Sequence, residues 1–256
     1  MSNSFMFYKK PVSLNRETHR DLCYQPQHDY RFSLEVNSVP LVGDEFFQAS
    51  RDFSVFFKRD DDGKYFPLAL MSLRNNGHDL VNDSGNWTGI YVPAFLRRYP
   101  FALTDNGNVC IDENSPALSR EEGEPLFDEN GNNSASLDRV VGFLKQYEAE
   151  SLRTGDFCEA LSEKMMFKPF NVQITPQEHS PVRLEGLFVI DEAVFSRLEG
   201  DLLQDWFRKG WVAWIYAHLH SIGTLGQLSN RLIASVESQT DPQPALKPDL
   251  EPQLTE

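Results

Sequence analysis

The chain has 256 residues, and its 38 acidic against 24 basic side chains give a formal net charge of −14. Hydrophobic residues make up 40 % and aromatic residues 12 % of the sequence, enough to fill a core, which excludes a disordered, collagen-like or coiled-coil protein. The acidic balance argues against nucleic acid as a partner, because phosphate binding needs a basic face. We expect residues 1–238 to form one globular domain.

The sequence carries no pattern of a secreted or membrane-spanning protein. Apolar residues precede Lys9 and Lys10 at the N-terminus, the reverse of a secretory signal, and the apolar stretch at residues 211–219 is far shorter than the ~20 residues that cross a bilayer. Cys23, Cys110 and Cys158 are an odd number of thiols without a Cys-x-x-Cys motif, which suits a reducing compartment. We therefore expect no signal peptide, no integral membrane segment and a cytoplasmic location.

In the first half of the chain, short apolar or alternating runs at residues 30–36, 53–57 and 65–70 predict strands. The pairs Asp62-Gly63 and Asn106-Gly107 predict hairpin turns, because these residues tolerate the positive φ that tight turns need. Short helices are predicted at residues 43–50 and 93–98, the second opened by Pro93.

After an acidic, turn-rich connection at residues 112–136, the apolar period changes from 2 to 3.6. Ser136 is the predicted N-cap of one helix, Thr154 of a second, and Asp191 of a third that reaches Leu198. Strands are predicted at residues 167–174 and 184–190. A helical segment broken at Gly210 continues through residues 211–222, which we expect to lie in the core.

These elements predict an α+β fold: a mixed or mainly antiparallel sheet, built largely from the N-terminal half, covered by helices from the C-terminal half. Residues 239–256 are rich in proline and acidic residues and predict a disordered tail.

The common catalytic and nucleotide-binding motifs are absent, so the sequence predicts no cofactor. No metal site is predicted either. His218 and His220 lie about 200° apart on a helix, which makes a core or interface histidine the better interpretation. The loop that begins at Asp128 has Asn133 and Arg139 where a calcium loop requires Gly and Glu.

Residues 87–101 are the best candidate for a ligand-binding site, because they combine five aromatic residues with two adjacent arginines. An arginine offers a planar donor fork for a carboxylate or phosphate, and the aromatic rings can stack on a ligand. Alternatively, the arginines bridge buried carboxylates such as Asp112, Glu113, Glu122 or Glu124. The predicted ligand-binding residues are Trp87, Tyr91, Arg97, Arg98, Tyr99, Asp112, Glu113 and Glu124.

The motif Tyr-x-Pro-Ala-x-x-Arg-Arg-Tyr-Pro-Phe at residues 91–101 closely resembles the bacterial SapC family. The resemblance continues through residues 109–113, 122–127, 154–157, 184–192 and 211–230 and covers most of residues 5–235. It implies a link to a surface layer or an outer-membrane uptake system of Gram-negative bacteria, and it implies no particular reaction.

Three hypotheses follow for the function. The first is a non-catalytic binding or accessory protein of the SapC type that binds a protein partner, or a small carboxylate or peptide ligand, through the aromatic and arginine-rich segment. The alternative is an enzyme, an oxygenase or hydrolase acting on a peptide or amino-acid derivative, in which the arginines hold the substrate carboxylate and Asp112, Glu113 or Glu124 acts as acid or base. A third is a self-assembling surface-layer subunit. Whether the chain is an enzyme, and whether it forms an oligomer, stay open at this point.

Overall fold

A computed structural model of the chain describes residues 5–26, 29–74, 76–104, 106–174 and 181–240. Its strands are β1 (Pro11–Ser13), β2 (Cys23–Tyr24), β3 (Ser38–Pro40), β4 (Ser54–Arg59), β5 (Tyr65–Leu70), β6 (Phe101–Leu103), β7 (Val109–Asp112), β8 (Leu118–Ser119), β9 (Glu124–Pro125), β10 (Phe167–Ile174) and β11 (Val182–Ile190). Its helices are α1 (Phe46–Ala49), α2 (Ala94–Arg97), α3 (Ala135–Glu163), α4 (Glu192–Phe195), α5 (Gly200–Arg208), α6 (Trp211–Ser221) and α7 (Leu225–Thr240). The disordered tail was predicted to begin at residue 239, but residues 239–240 form the end of α7, and residues 241–256 lie outside the described residues.

The largest sheet has five strands in the order β10-β11-β4-β5-β3, and all its neighbours are antiparallel. Strands β4 and β5 form the hairpin predicted at Asp62-Gly63. Gly63 has a φ of +84°, a conformation that residues with a side chain rarely adopt. Most of the chain's strands come from the first half, but β10 and β11 join this sheet from the second. The predicted α+β fold is confirmed.

Two small antiparallel sheets complete the strands, with the orders β1-β7-β6 and β8-β2-β9. Strands β6 and β7 flank the predicted Asn106-Gly107 turn, in which Gly107 has a φ of +74°. Strand β1 pairs with β7, so the N-terminal segment is held against this hairpin.

Helix α3 runs unbroken for 29 residues, where the sequence pattern predicted two helices. Its N-cap is Ser134, whose hydroxyl accepts a hydrogen bond from Leu137 N, and not the predicted Ser136. The predicted cap Thr154 lies inside the helix. Its hydroxyl donates to Glu150 O one turn earlier. That local bond satisfies the hydroxyl without ending the helix.

The C-terminal helices follow the predicted boundaries in part, and helix α7 was not predicted. The Asp191 carboxylate accepts from Ala193 N at the start of α4, as a cap does, although α4 ends at Phe195 and not at Leu198. Gly210 separates α5 from α6 with a φ of +77°. In the described part of the chain, no helix is both long and apolar enough to cross a membrane.

The five-stranded sheet is covered on both faces. Val55 and Phe57 of β4 face a core to which α3 and α6 contribute, whereas Phe56 between them faces a second core that includes Leu228 of α7. A third core forms between the β1-β7-β6 sheet and the first half of α3, around Phe101 and other apolar side chains. The helices of the second half therefore enclose the sheet, as the sequence predicted.

Residues 30–36 are not the strand that their alternation predicted. Residues Arg31–Ser33 form a 3-10 turn, in which the Ser33 hydroxyl donates to Tyr30 O over 2.7 Å. The aromatic side chains that suggested a strand face instead pack side by side, with Tyr30 and Phe32 ring centroids 6.1 Å apart. This turn places both rings beside residues 96–99.

Candidate ligand-binding cleft

The two arginines that dominate the predicted site point in different directions. Arg97 is exposed, and its Nε donates to Val92 O (3.1 Å) while its Nη2 lies 3.4 Å from the Tyr91 hydroxyl. Arg98 is only 7 % exposed, and its guanidinium lies 4.1 Å from the ring centroid of Phe95. Residue 98 therefore belongs to the interior, and residue 97 presents its charge at the surface.

A buried carboxylate that the sequence did not indicate fixes the segment around Tyr91. Glu45 is 5 % exposed, and its Oε1 accepts from the Tyr91 hydroxyl (2.7 Å) and from Ala94 N (2.6 Å). Its other oxygen accepts from Val42 N over 3.0 Å. Burial raises the pKa of the Glu45 carboxyl, and these hydrogen bonds oppose the rise. An acidic residue in a short helix resembles a surface residue in sequence, so no pattern could have identified it.

A second buried carboxylate, Asp52, was also missed. Its Oδ2 accepts from Tyr91 N over 2.7 Å, and the side chain is 2 % exposed. The indole of Trp87 donates to Tyr91 O over 2.9 Å, so both polar backbone groups of residue 91 have a side-chain partner. Trp87 and Tyr91, predicted to bind a ligand, thus hold the segment that leads into α2, the helix that ends at Arg97.

Tyr99 and Asp112 form one hydrogen-bonded unit. Asp112 is fully buried, and its Oδ2 accepts from the Tyr99 hydroxyl (2.8 Å) and from Lys9 N (3.1 Å). Its Oδ1 accepts from Lys10 N over 2.8 Å. Burial is the main cause that raises the pKa of Tyr99 to about 12, so the phenol stays protonated and donates to the carboxylate. The unit anchors the N-terminal segment beside Tyr99.

Glu113 and Glu124 lie in separate surface ion pairs. The Glu113 carboxylate is 2.6 Å from Lys10 Nζ, and the Glu124 carboxylate is 2.5 Å from Arg139 Nη2. The hydrogen bond from Lys10 lowers the pKa of Glu113. The structure gives these two carboxylates other partners than the arginines of the predicted site.

A cleft of about 590 Å³ lies between the Arg31–Ser33 turn, the N-terminal segment, residues 96–99 and residues 114–117. Of the eight predicted residues, Arg97 and Tyr99 line it, and Tyr91 and Asp112 contact those two. The charged side chains on its walls are Lys9, Asp29, Arg31 and Arg97, and the aromatic ones are Phe7, Tyr24, Tyr30, Phe32 and Tyr99.

Three positive charges against one negative charge face this cleft, in a chain whose net charge is −14. The Asp29 carboxylate is paired with Arg31, and the hydrogen bond from that arginine lowers the pKa of Asp29. Within the described part of the chain, neither Lys9 nor Arg97 forms an ion pair. The cleft can therefore offer two cations to an incoming anion.

The buried histidines serve the fold. His218 Nε2 accepts from Ile190 N (3.0 Å), so its Nδ1 carries the proton and donates to Val55 O (2.9 Å). His218 therefore lies in the core, with both ring nitrogens hydrogen-bonded to the backbone. His78 Nδ1 accepts from Leu80 N (3.1 Å), so its protonated Nε2 donates to Ser33 Oγ (3.2 Å). In that tautomer the imidazole cannot activate the hydroxyl as a general base.

The acidic loop considered for calcium closes on itself. Asp128 Oδ1 accepts from Asn130 N (2.9 Å) and Asn132 N (2.8 Å), which is the pattern of an Asx turn. In the parts of the chain that the structure describes, no three His, Cys, Asp or Glu side chains come together in a way that could hold a metal ion.

Fold and site together define an α+β protein with a positively charged, aromatic cleft. The family model described as SapC matches residues 14–228. Because that match covers most of the chain, the protein belongs to the SapC family, as the motif at residues 91–101 indicated. No curated protein and no solved structure matches the chain.

Proposed function

We propose that this SapC-family protein is a non-catalytic binding or accessory protein and that its ligand or partner binds at the cleft beside Arg97. The observation that carries the proposal is the local charge: Lys9 and Arg97 line an aromatic cleft in an acidic chain, and in the described residues neither forms a direct ion pair, Arg97 being linked to Glu45 only through the Tyr91 hydroxyl. A fixed cation beside aromatic walls is a common anchor for a partner or ligand.

We further propose that the protein works in the cytoplasm alongside a surface-layer or outer-membrane uptake system. Membership of the SapC family supports this setting through the association that the family resemblance implies. The reducing compartment is also compatible with the thiols of Cys23, Cys110 and Cys158, each of which is free.

The alternative is an enzyme of the oxygenase or hydrolase class that acts on a peptide or amino-acid derivative. It needs an acid or base beside the bound carboxylate. Asp112 is buried and accepts several hydrogen bonds, whereas Glu113 and Glu124 form ion pairs with Lys10 and Arg139. Because these carboxylates are engaged elsewhere, the binding function is favoured over the catalytic one.

The proposal is tested by affinity capture of the tagged full-length chain from its own host, followed by native mass spectrometry and metal analysis. We expect the wild-type chain to retain a protein or small molecule that Arg97→Ala loses. The matched control is Arg59→Ala, which removes an exposed arginine of the β4-β5 hairpin that donates to Gly63 O.

Equal capture by wild type and Arg97→Ala would place the binding site elsewhere. A retained molecule that the purified chain converts chemically would favour the enzyme. A captured partner from a surface-layer or uptake system would support the proposed setting, and capture of unrelated proteins alone would contradict it.

A further inference from the structure

We infer that the occupant of the cleft is a small molecule in which a planar aromatic ring carries an oxyanion, a carboxylate or a phosphate. This inference rests on the proposed binding function and names the chemical class of its ligand. It uses three properties of the cleft: the positions of its cations, the arrangement of its rings and its volume.

The oxyanion would lie between Lys9 and Arg97. The Arg97 guanidinium is oriented by two hydrogen bonds, from Nε to Val92 O and from Nη2 to the Tyr91 hydroxyl, and Nη1 takes part in neither of these. The Tyr91 hydroxyl is itself fixed, because it donates to the buried Glu45. The arginine therefore keeps its direction before a ligand arrives, which reduces the entropy lost on binding.

Lys9 is anchored at its backbone rather than at its side chain. Its N–H donates to the Asp112 carboxylate, which also accepts from the Tyr99 hydroxyl. The backbone of Lys9 is thus fixed, and its flexible side chain can reach an anion in the cleft. Two cations that approach from different walls neutralise an oxyanion better than either one alone, because charge-assisted hydrogen bonds gain strength in a partly desolvated cleft.

The ring would lie against an aromatic wall. The rings of Phe32 and Tyr99 are stacked, with centroids 4.1 Å apart and planes at 23°. Phe7 meets Phe32 edge to face at 5.3 Å, and the ring centroid of Tyr30 lies 6.1 Å from that of Phe32. A ligand ring continues such a stack with both offset and edge contacts, whereas a flexible aliphatic chain cannot use this geometry.

The volume limits the size of the ligand. A cleft of about 590 Å³ lies within the range that encloses drug-sized molecules and is small for a folded protein surface. The cations alone do not distinguish a carboxylate from a phosphate, so the shared oxyanion is the chemistry that we assign, and the experiment separates the two.

Isothermal titration calorimetry of the purified full-length chain tests the inference with defined probes. Indole-3-acetate supplies ring and carboxylate, indole-3-acetamide keeps the ring without the charge, hexanoate keeps the charge without the ring, and phenyl phosphate replaces the carboxylate. We expect indole-3-acetate or phenyl phosphate to bind at least about tenfold more tightly than the amide and hexanoate. Because these two probes also differ in their rings, phenylacetate is compared with phenyl phosphate to identify the anion.

The variants Arg97→Gln and Lys9→Gln should each raise the dissociation constant of the better probe about tenfold or more. The controls Arg59→Gln and Lys64→Gln each remove one exposed positive charge from the β4-β5 hairpin, away from the cleft, and should leave it unchanged. Circular dichroism of each variant verifies that it folds.

If neither indole-3-acetate nor phenyl phosphate binds more tightly than the acetamide, the assigned anion is overturned, and if hexanoate binds as tightly as the better probe, the assigned ring is overturned. If no probe binds while Arg97→Ala still abolishes capture from the host, the ligand class is wrong and the binding function stands. If capture is also insensitive to Arg97, both proposals fail.

Discussion

Replacing His218 should change how the stability of the protein depends on pH. The imidazole is fully buried between α6 and the sheet, where it joins Val55 O of β4 to Ile190 N of β11. These strands share a single register pair, Phe188 with Phe57, so the histidine satisfies backbone groups where the strand ladder does not continue. His218→Gln leaves one or both groups unpaired, which costs about 1–3 kcal/mol each.

The pH effect follows from the protonation of the same ring. Burial lowers the pKa of His218 from 6.5 to about 3, so the native imidazole stays neutral well below the pH at which the unfolded chain binds a proton. Its contribution to stability is complete above pH 6.5 and is lost as the pH falls toward 3. From pH 6.5 to 4.5 this loss amounts to about 2 kcal/mol, because a full unit corresponds to about 1.4 kcal/mol and the unfolded histidine is already half protonated at pH 6.5.

The assay is urea unfolding of wild type and His218→Gln at both pH values. The variant should be less stable at pH 6.5, and the difference from wild type should shrink by about 2 kcal/mol at pH 4.5. His220→Gln, an exposed substitution on the same helix, is the control for the change of side chain. Parallel loss of stability in wild type and variant would refute the assignment. If His218→Gln does not fold, His78→Gln tests the same reasoning, because burial lowers the pKa of His78 to about 4.

Four further substitutions test which side chains the fold needs. Arg98→Ala should lower the free energy of unfolding by about 2 kcal/mol or more, because it removes a buried guanidinium packed on aromatic rings, whereas Arg97→Ala should change it by less than about 0.5 kcal/mol in urea titrations. Gly43→Ala puts a methyl group 2.3 Å from the Trp214 ring and should cost about 1–3 kcal/mol with an altered near-ultraviolet tryptophan signal; an unchanged signal and melting temperature would contradict this contact. Asp112→Asn replaces one acceptor oxygen by an NH₂ group that faces other donors and should cost about 1–3 kcal/mol in thermal unfolding, while a neutral effect would show that the buried carboxylate is dispensable.

Elements with a strong local signal were predictable from the sequence. The turns at Gly63 and Gly107 and the helix break at Gly210 each need a positive φ, which the residue type itself announces. The strand at residues 30–36 and the helix cap at Thr154 were wrong for the opposite reason. Alternating aromatic residues also occur in a turn whose conformation is set by tertiary packing, as at residues 31–33. A threonine also occurs inside a helix when its hydroxyl bonds to the preceding turn, as at Thr154.

The site was predictable only in outline. The sequence indicated the segment that carries Arg97 and Tyr99, both of which line the cleft. It could not show that the adjacent Arg98 is buried. Arg98 directly follows the single turn of α2, and the way in which that turn packs sets the direction of the Arg98 side chain. Nor could the sequence place Lys9 or the Arg31–Ser33 turn beside that segment, since these contacts join distant parts of the chain.

The continuity of helix α3 has a consequence for cooperativity. At 29 residues it is about 44 Å long, and Leu137 and Leu144 in its first half belong to one core while Phe157 and Leu161 in its second half belong to another. If either core unfolded, part of α3 would lose its apolar contacts, and the other core depends on the same helix. We expect amide hydrogens along the whole helix to exchange only through global unfolding.

The segment that lines the cleft crosses between the same two cores, with Leu96 in one and Phe101 in the other. The cleft therefore lies at their junction, and its width depends on both. A molecule bound there would raise the melting temperature of the entire protein, and unfolding would remain a single transition. The reason is that any motion that opens the cleft has to separate the two cores.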